Sequence, residues 1–449
     1  MSKVIRIANG QGFWGDSIDA PVNLIKDGPI DYLTLDYLAE VTLSIMQRQK
    51  LKRPDAGYAR DFVDLIERVL PDLVSKDIKV ISNAGGVNPE ACRDALLEVA
   101  KAKGIDIKIG IIIGDNIYDE LNNFTTNGVD FKNLETGEDF DLVKDEVYSA
   151  NVYIDSFCIA RALDEGAQIV LAGRVSDPGL ALGPAIHEFG WKSDQIDLIA
   201  AGTLAGHITE CGAQCTGGNY SRWSEIEDLA NIGYPIIEMH ENGEFVITKH
   251  DGTGGLVNRQ TVSEQILYEM GDPSYYISPD VCVDFTSLDL EELGNNRVKI
   301  SNVKGLEATP TYKVSISYFA GYKASGQLTI SGPDALKKAE LVAELIWKRL
   351  ENAGCIYEDK STEFLGISSC HGDINKIPEQ VNEVVLRLGV KDSDKNKVNR
   401  FGKEIAPVIT NGPPGVTGFA GGRPKAQEIV AYWPTLIPKH FITTDVDVN

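Results

Sequence analysis

The densest run of reactive side chains is Gly206-His207-Ile208-Thr209-Glu210-Cys211-Gly212-Ala213-Gln214-Cys215-Thr216-Gly217-Gly218. On a helix, His207, Glu210 and Cys211 share one face by i, i+3, i+4 spacing. Such a trio can act as base, acid and nucleophile, or ligate a metal. The plainer alternative is an inert, buried thiol. Cys211 and Cys215 do not form a C-x2-C, and no second Cys/His pair lies at zinc-ribbon spacing, which argues against structural zinc. Gly217 and Gly218 would let the backbone approach a ligand.

A second loop, Gly173-Arg174-Val175-Ser176-Asp177-Pro178, sets an Arg beside an Asp. Arginine grips a carboxylate or phosphate with two parallel hydrogen bonds, so Arg174 is a candidate for a substrate anion. An internal Arg174–Asp177 salt bridge is the competing reading. Gly10-Gln11-Gly12-Phe13-Trp14-Gly15 is a literal G-x-G-x-x-G, with Asp36 at the end of the next apolar run. Strand, glycines, helix, strand and acid together make a dinucleotide fingerprint. Asp16 and Asp19 would repel a pyrophosphate, and Trp14 is bulky for that turn, so NAD is disfavoured. The expectation is a loop around a substrate carboxylate, phosphate or CoA group, with a purely structural turn as the alternative. Asp16, Asp19, Asp36 and Glu40 could converge on one mouth, as a general base or a divalent metal would require, or else serve as caps and salt bridges. Asn83-Ala84-Gly85-Gly86-Val87-Asn88-Pro89 places two glycines before a helix N-terminus, which attracts anions. Asn88 with Pro89 is equally an ordinary helix start. Gly114-Asp115-Asn116 repeats the strand-then-polar pattern. Asp36 and Asp115 are the candidate metal ligands, or orient those that act. Two weaker glycine clusters, Thr253-Gly254-Gly255 after Lys249-His250 and Asn411-Gly412-Pro413-Pro414-Gly415, could be lids or subunit contacts.

The elements that must position these loops alternate in the first half. Strands are predicted at Lys3–Ala8, Asp31–Leu35, Ile78–Ser82, Ile107–Ile113 and Gln168–Ala172, with a sixth starting at Ile196–Ala200. Helices are predicted at Tyr58–Leu73, Pro89–Lys103 and Ala150–Gly166. Continuous apolar strands between helices mean a parallel sheet covered on both faces. After Gly233 the texture changes to hairpins. A turn is expected at Glu241-Asn242-Gly243, with strands at Val298–Ile300, Thr311–Tyr318, Ala324–Ile330, Glu363–Ser368, Glu383–Leu388 and Glu428–Pro434. Helices are expected at Pro333–Asn352 and Lys395–Ile405. The fold class is therefore α/β: a Rossmann-like domain over 1–230 carrying the active-site loops, then an α+β domain over 231–449, ferredoxin-like in pattern.

The chain has 449 residues, 43% hydrophobic and 24% charged, enough apolar material for a large core. Its net charge is −23. So acidic a surface repels nucleic-acid phosphates and anionic headgroups, which argues against a nucleic-acid or membrane partner. Any anionic substrate must be held by local donors. The first residues do not read as a signal peptide, and no run is long enough for a transmembrane helix. Seven cysteines, an odd number, suit free thiols in a reducing cytoplasm. Kinase, Walker A, H-E-x-x-H and G-x-S-x-G signatures are missing.

Taken in order, GQGFWGDSIDA, LDYLAE, NAGGVNP, GDN, AGRVSDP, AAGTLAGHITECGAQCTGG, TKHDGTGGLV, YEMGDPSYYISPDV, GPPG and YWPTLIP resemble the acyclic terpene utilisation AtuA family, from about residue 4 to 440. The resemblance implies a role near the breakdown of citronellol and geraniol, as a carbon–carbon lyase on a branched 3-hydroxyglutaryl-CoA ester. Relatives often carry an extra C-terminal domain or a small separately encoded protein, so a small partner subunit is an expectation here. Many relatives have smaller residues where this chain has Phe13-Trp14, which implies a differently shaped pocket.

The resulting expectation is a cytoplasmic, homo-oligomeric lyase, either hydro-lyase or C–C lyase. Its substrate would be an acidic CoA thioester or a di- or tricarboxylic hydroxy acid, handled by acid/base enolate chemistry. His207, Glu210, Cys211 and Asp36 would be catalytic. Gly10, Gly12, Gly15, Asp16, Asn83, Gly85, Gly86, Asp115, Asn116, Arg174, Asp177, Gly217 and Gly218 would bind substrate. The alternatives are a non-catalytic ligand-binding subunit of a multi-component complex and a nicotinamide-dependent oxidoreductase.

Overall fold

The computed structural model describes residues 3–367, 369–374, 376, 380–418 and 421–449. It divides into two compact units: residues 3–317 with 432–449, and residues 318–431. The chain passes between them inside two long strands. The change of texture in the sequence puts the division at 230/231 instead, where the hairpins begin. In the structure those hairpins extend the sheet of the first unit, because the exposed edge of an open sheet accepts antiparallel strands as readily as parallel ones.

In chain order the first unit contains β1 (Val4–Gln11), α1 (Ala20–Asp27), β2 (Tyr32–Leu35), α2 (Glu40–Lys52), α3 (Arg60–Ser75), β3 (Lys79–Ser82), α4 (Pro89–Lys103) and β4 (Ile109–Ile113). There follow α5 (Leu121–Thr126), β5 (Val147–Val152), α6 (Phe157–Asp164), β6 (Ile169–Leu171), α7 (Gly179–Phe189) and α8 (Ile196–Thr209). Next come β7 (Pro235–His240), β8 (Phe245–Lys249), α9 (Arg259–Ile266), β9 (Tyr276–Ile277), β10 (Cys282–Asp284), β11 (Asp289–Glu292), β12 (Val298–Ser301) and β13 (Lys304–Leu306). β14 (Thr311–Ser331) leads into the second unit, with α10 (Ala335–Asn352), β15 (Asp359–Leu365), β16 (Glu383–Asp392), α11 (Lys395–Ile405), α12 (Val408–Asn411) and β17 (Val416–Thr417). β18 (Gln427–Pro438) leads back, and β19 (Asp445–Val448) ends the chain.

Strands β1, β2, β3, β6 and β4 lie side by side in that order, all parallel. β7, β8, β12 and β11 add antiparallel beyond β1, and β19 adds antiparallel beyond β4, giving a mixed sheet of ten strands. Every parallel strand therefore ends at the same edge. The glycine-rich and acidic loops follow β1, β2, β3, β6 and β4, and open α/β sheets bind ligands along that edge. The sheet is fixed by burial: Leu33, Leu35, Val80, Ile109 and Ile169 form one cluster with Phe62, Ile66 and Leu70 of α3. α4 shows how local rules set the boundaries. Pro89 occupies its first turn and Gly104 closes it at φ 67.

Two predicted elements differ. Ile196–Ala200 opens α8 rather than a strand; eleven consecutive residues from Ile199 to Thr209 are buried, so the run is apolar all round and carries no helical period to read. Ala150 to Val152 belong to β5, and the helix starts only at Phe157.

In the second unit β16 lies between β15 and β14, while β17 and β18 both pair with β14. α10 and α11 bury Val342, Ile346, Val398 and Phe401 against Leu328, Leu386 and Leu388 of the sheet. The predicted strands at Thr311–Tyr318 and Ala324–Ile330 are one strand, β14. Ser368, the expected end of a third strand, lies outside the described residues; β15 ends at Leu365. Among the described residues, no helix is long and apolar enough to cross a membrane.

Candidate active site

Every group of this site lies within the first unit, and the loop after β6 is their hub. Gly173 is obligatory, because a Cβ there would sit 2.2 Å from the Asp115 carboxylate. That carboxylate, delivered from the end of β4, accepts from the Arg174 backbone N–H at 2.7 Å and from Asn151 Nδ2 at 2.9 Å. Asp115 thus fixes the loop from beneath and is buried.

The Arg174 side chain is buried too. Its guanidinium donates to both Asp177 oxygens, at 2.7 and 3.2 Å, and to the Leu38 carbonyl at 2.9 Å. It lies 4.1 Å from the centre of the Tyr153 ring. The reading of Arg174 as a substrate clamp is therefore corrected to the alternative, an internal ion pair: Nη1 and Nη2 donate to Asp177 and Leu38, while the buried Nε has no hydrogen-bond partner, and the side chain presents Asp177 outward. Asp177 is 36% exposed and lines a cleft of about 380 Å³ with Ser176, Tyr153, Tyr276, Tyr312 and Lys313.

Sequence reasoning missed Tyr153, Tyr276 and Lys313. Lys313 Nζ reaches within 3.8 Å of Glu40 and 4.7 Å of the Tyr153 ring centre. Tyr153 donates to Glu40 at 2.6 Å. Lys313 brings an ammonium to this cleft, and burial lowers its pKa. Its only sequence signal is a Lys in an alternating strand, which is ordinary for an exposed face.

Beside this hub stand two buried carboxyls. Asp36, at the end of β2, accepts from Asn83 Nδ2 at 2.7 Å and from the Leu38 N–H at 3.0 Å. Burial, with Asp177 adding to it and Arg174 opposing, pushes Asp36 up to about 8. Glu210 follows α8, with Oε1 3.3 Å from His207 Nδ1 and Oε2 without a hydrogen-bond partner. Burial pushes Glu210 up to about 7, with His207 opposing. His207 is buried among Tyr276 and Phe285, ring centres 5.1 and 5.3 Å away, and its Nε2 lies 3.2 Å from the Ile266 carbonyl. Burial works against its charge, but the Glu210 carboxylate outweighs that and raises its pKa. Cys211 is held as a thiol, pushed up to about 12 by burial and by Glu210. A nucleophilic thiolate is not supported there.

The glycine loops have a different use. Gly10 is the extra residue of a bulge at the end of β1, where the register skips between Asn9 and Gln11. Gly12 lies against the Cys211 backbone, where a Cβ would come within 2.7 Å. Its N–H is taken by Asp16 at 2.9 Å, and Asp16 also accepts from Tyr234 at 2.6 Å. The loop thus carries its own anion. That excludes a pyrophosphate from the Gly12 amide. Gly15, at φ 104, opens onto free space. A Cβ on Gly85 would sit 2.9 Å from the Ala172 carbonyl, and one on Gly86 would meet the Met46 sulfur and the Gly57 carbonyl; both glycines are buried. Gly217 faces Ile226 and Gly218 the Ala213 carbonyl. These four positions allow tight packing of protein on protein and leave no room for a ligand, contrary to the expected anion cradles. Asn116 caps its own turn, accepting from the Tyr118 N–H at 3.1 Å. Among the described residues, no three His, Cys, Asp or Glu side chains are grouped to hold a metal. Asp36 takes two hydrogen bonds on Oδ1 and Asp115 two on Oδ2. Phe13 is exposed, and Trp14 is tied to Asp61 at 3.0 Å, so neither lines the cleft.

The edge of the sheet thus unites Asp36, Asn83, Asp115, Arg174, Asp177, His207 and Glu210 through one hydrogen-bonded and electrostatic neighbourhood. The model of the acyclic terpene utilisation family protein AtuA matches residues 5–448. The chain belongs to the AtuA family. No curated protein sequence matches it. A solved amidase of the hydantoinase/carbamoylase family from Burkholderia phymatum is 14% identical over 27% of this chain and 30% of that one, with a TM-score of 0.16. So small an overlap carries no argument about fold or activity. Membership of the AtuA family agrees with the ten ordered motifs, several of which now have a structural reason: AGRVSDP is the hub loop, and YEMGDPSYYISPDV supplies Tyr276 and the cleft wall.

Proposed function

We propose that this AtuA-family protein is a lyase acting on an acidic substrate by acid/base chemistry in the Asp177–Lys313 cleft. The substrate class is a CoA thioester or a di- or tricarboxylic hydroxy acid. One observation carries the reading: a single cleft of about 380 Å³ gathers a carboxylate, Asp177, an ammonium, Lys313, and the phenols Tyr153 and Tyr276. Elimination from such a substrate needs a base for the α-proton, a cation for the developing enolate and an acid for the departing oxygen or carbonyl. Asp177 is the base, oriented by both arms of Arg174. Lys313 holds the substrate's anionic end. Tyr276 is the acid, its ring packed against the His207 imidazole. Buried carboxyls raised toward neutrality, as burial does to Asp36 and Glu210, are the pattern of sites that both take and give protons at pH 7.

The same reading takes the parallel strands as a Rossmann-like core, and the second unit as ferredoxin-like. The order β15, β16, β14, β18, joined by α10 and α11, supports the latter. A cytoplasmic homo-oligomer with a small partner subunit stays part of the proposal.

The test is a metabolite screen by mass spectrometry with purified protein, with and without neighbouring gene products. Wild type should consume an acidic metabolite or CoA ester. Asp177→Asn and Lys313→Met should each lower consumption by about 100-fold or more in protein whose circular dichroism shows that it is still folded. Tight binding of such a ligand with no turnover under any condition would replace the lyase by the ligand-binding subunit.

A further inference from the structure

The motif Thr248-Lys249-His250-Asp251-Gly252-Thr253-Gly254-Gly255 plays no part in the cleft, and its backbone is closely tied. Gly254 N–H donates to the Asn231 carbonyl at 2.7 Å and Gly255 N–H to that of Ile232 at 2.9 Å. Asn231 Nδ2 returns to the Gly252 carbonyl at 3.0 Å. A Cβ on Gly255 would sit 2.1 Å from the Ile232 oxygen, and one on Gly233 2.3 Å from Thr253 Oγ1. Two loops are thus zipped backbone to backbone, which fixes whatever they present.

They present a second cavity, of about 420 Å³, closed on its other side by the residues leading into α1. Its contributors include Ser17, Asp19, Asn23, Asn231, Tyr234 and His250. His250 is 7% exposed, yet its Nδ1 has no hydrogen-bond partner. A buried ring nitrogen left unpaired costs about 1–3 kcal/mol, and it is retained where something else completes it. Burial also lowers the His250 pKa, so the ring is neutral at pH 7 and can accept or donate.

The charge around the cavity selects the ligand. Lys249, next to His250 in the chain, spends its ammonium on the Thr253 carbonyl and hydroxyl at 2.7 and 2.9 Å. Arg68 is held by Asp19 at 2.9 Å. Arg68 is thus paired with a carboxylate, and Lys249, which does not line the cavity, directs its ammonium onto Thr253; the lining groups are the Asp19 carboxylate, the Asn23 amide and the Tyr234 hydroxyl oxygen, whose proton goes to Asp16. Such a set matches groups that both give and take hydrogen bonds. We propose that this cavity is a binding site for a small uncharged polyol or sugar moiety, whose hydroxyls pair with His250, Asn23 and Asp19. It is separate from the Asp177–Lys313 cleft, with which it shares no lining residue.

Isothermal titration and ligand-observed NMR with D-ribose, D-glucose and myo-inositol test this, with inorganic phosphate and spermidine as the charged controls. At least one polyol should bind wild type and neither control should compete with it. His250→Asn should weaken binding at least tenfold, and Asn23→Ala, at an exposed helix position, should weaken it several-fold without altering the thermal midpoint. Asp177→Asn should leave polyol binding unchanged, which separates this site from the cleft. Failure of all three polyols to bind, displacement by phosphate or spermidine, or binding indifferent to both His250→Asn and Asn23→Ala would overturn the assignment.

Discussion

The loops after β1 and β6 each contain a glycine and an acid, and both sit at the same edge of the same sheet. They do opposite things. The loop after β1 turns its acid inward: Asp16 caps the Gly12 amide, and the loop is electrically complete. The loop after β6 turns its acid outward: Arg174 is buried so that Asp177 can stand in a cleft. Glycine therefore marks close approach of backbone, and what approaches decides its use. At Gly12 it is the Cys211 backbone, and at Gly173 the Asp115 carboxylate.

The contrast can be broken most severely at Arg174. Arg174→Met leaves Asp177, Asp36 and Glu40 without their shared cation in a buried setting, and should cost about 3–5 kcal/mol of stability. Urea unfolding would measure it; a cost below about 1 kcal/mol would mean the guanidinium is not the organiser of this edge. Gly12→Ala comes next. Its methyl would press on the Cys211 backbone, so the loop or the Glu210 turn must shift, at about 1–3 kcal/mol. A neutral Gly12→Ala would show that the two loops are not in contact.

The pH dependence sharpens the electrostatic half. Asp36 has a folded pKa of about 8 and Glu210 of about 7, both raised mainly by burial. Between the ordinary carboxyl range and those values the folded state holds protons that the unfolded state has released. Stability from these groups is thus greatest in acid and falls as pH rises through about 4 to 8. Asp36→Asn keeps the oxygen that accepts from Asn83 and Leu38, and should flatten that fall. An unchanged slope in thermal melts from pH 5 to 8 would remove Asp36 from the titrating set. The smallest effect is expected at Phe13. It is 61% exposed, so Phe13→Ser should alter stability by no more than about 0.5 kcal/mol and leave ligand binding in the cleft unchanged. A changed substrate preference in Phe13→Ser would restore the loop after β1 to the site.

The legible part of the site was the part written in strand–loop order. Asp36, Asn83, Asp115, Arg174 and Asp177 each follow an apolar strand, and parallel strands end together. The i, i+3 spacing of His207 and Glu210 likewise placed them side by side at the end of α8. Tyr153, Tyr276 and Lys313 were not legible, because each belongs to a segment whose local pattern suits an ordinary surface.

By itself the sequence determined the alternation of strands and helices, the order of the parallel loops and the membership of the AtuA family. The first two are properties of local propensity and periodicity, readable within a dozen residues, and the third rests on short motifs in a fixed order. Only the tertiary structure decided which hydrogen-bonding groups were already satisfied. Arg174 and Asp16 look like ligand-binding residues until their partners are known, whereas Asp177, Lys313 and His250 gain meaning from the cavities they face. Satisfaction of a polar group depends on neighbours tens or hundreds of residues away in the chain, brought close by burial of the apolar sheet, and no local pattern encodes them.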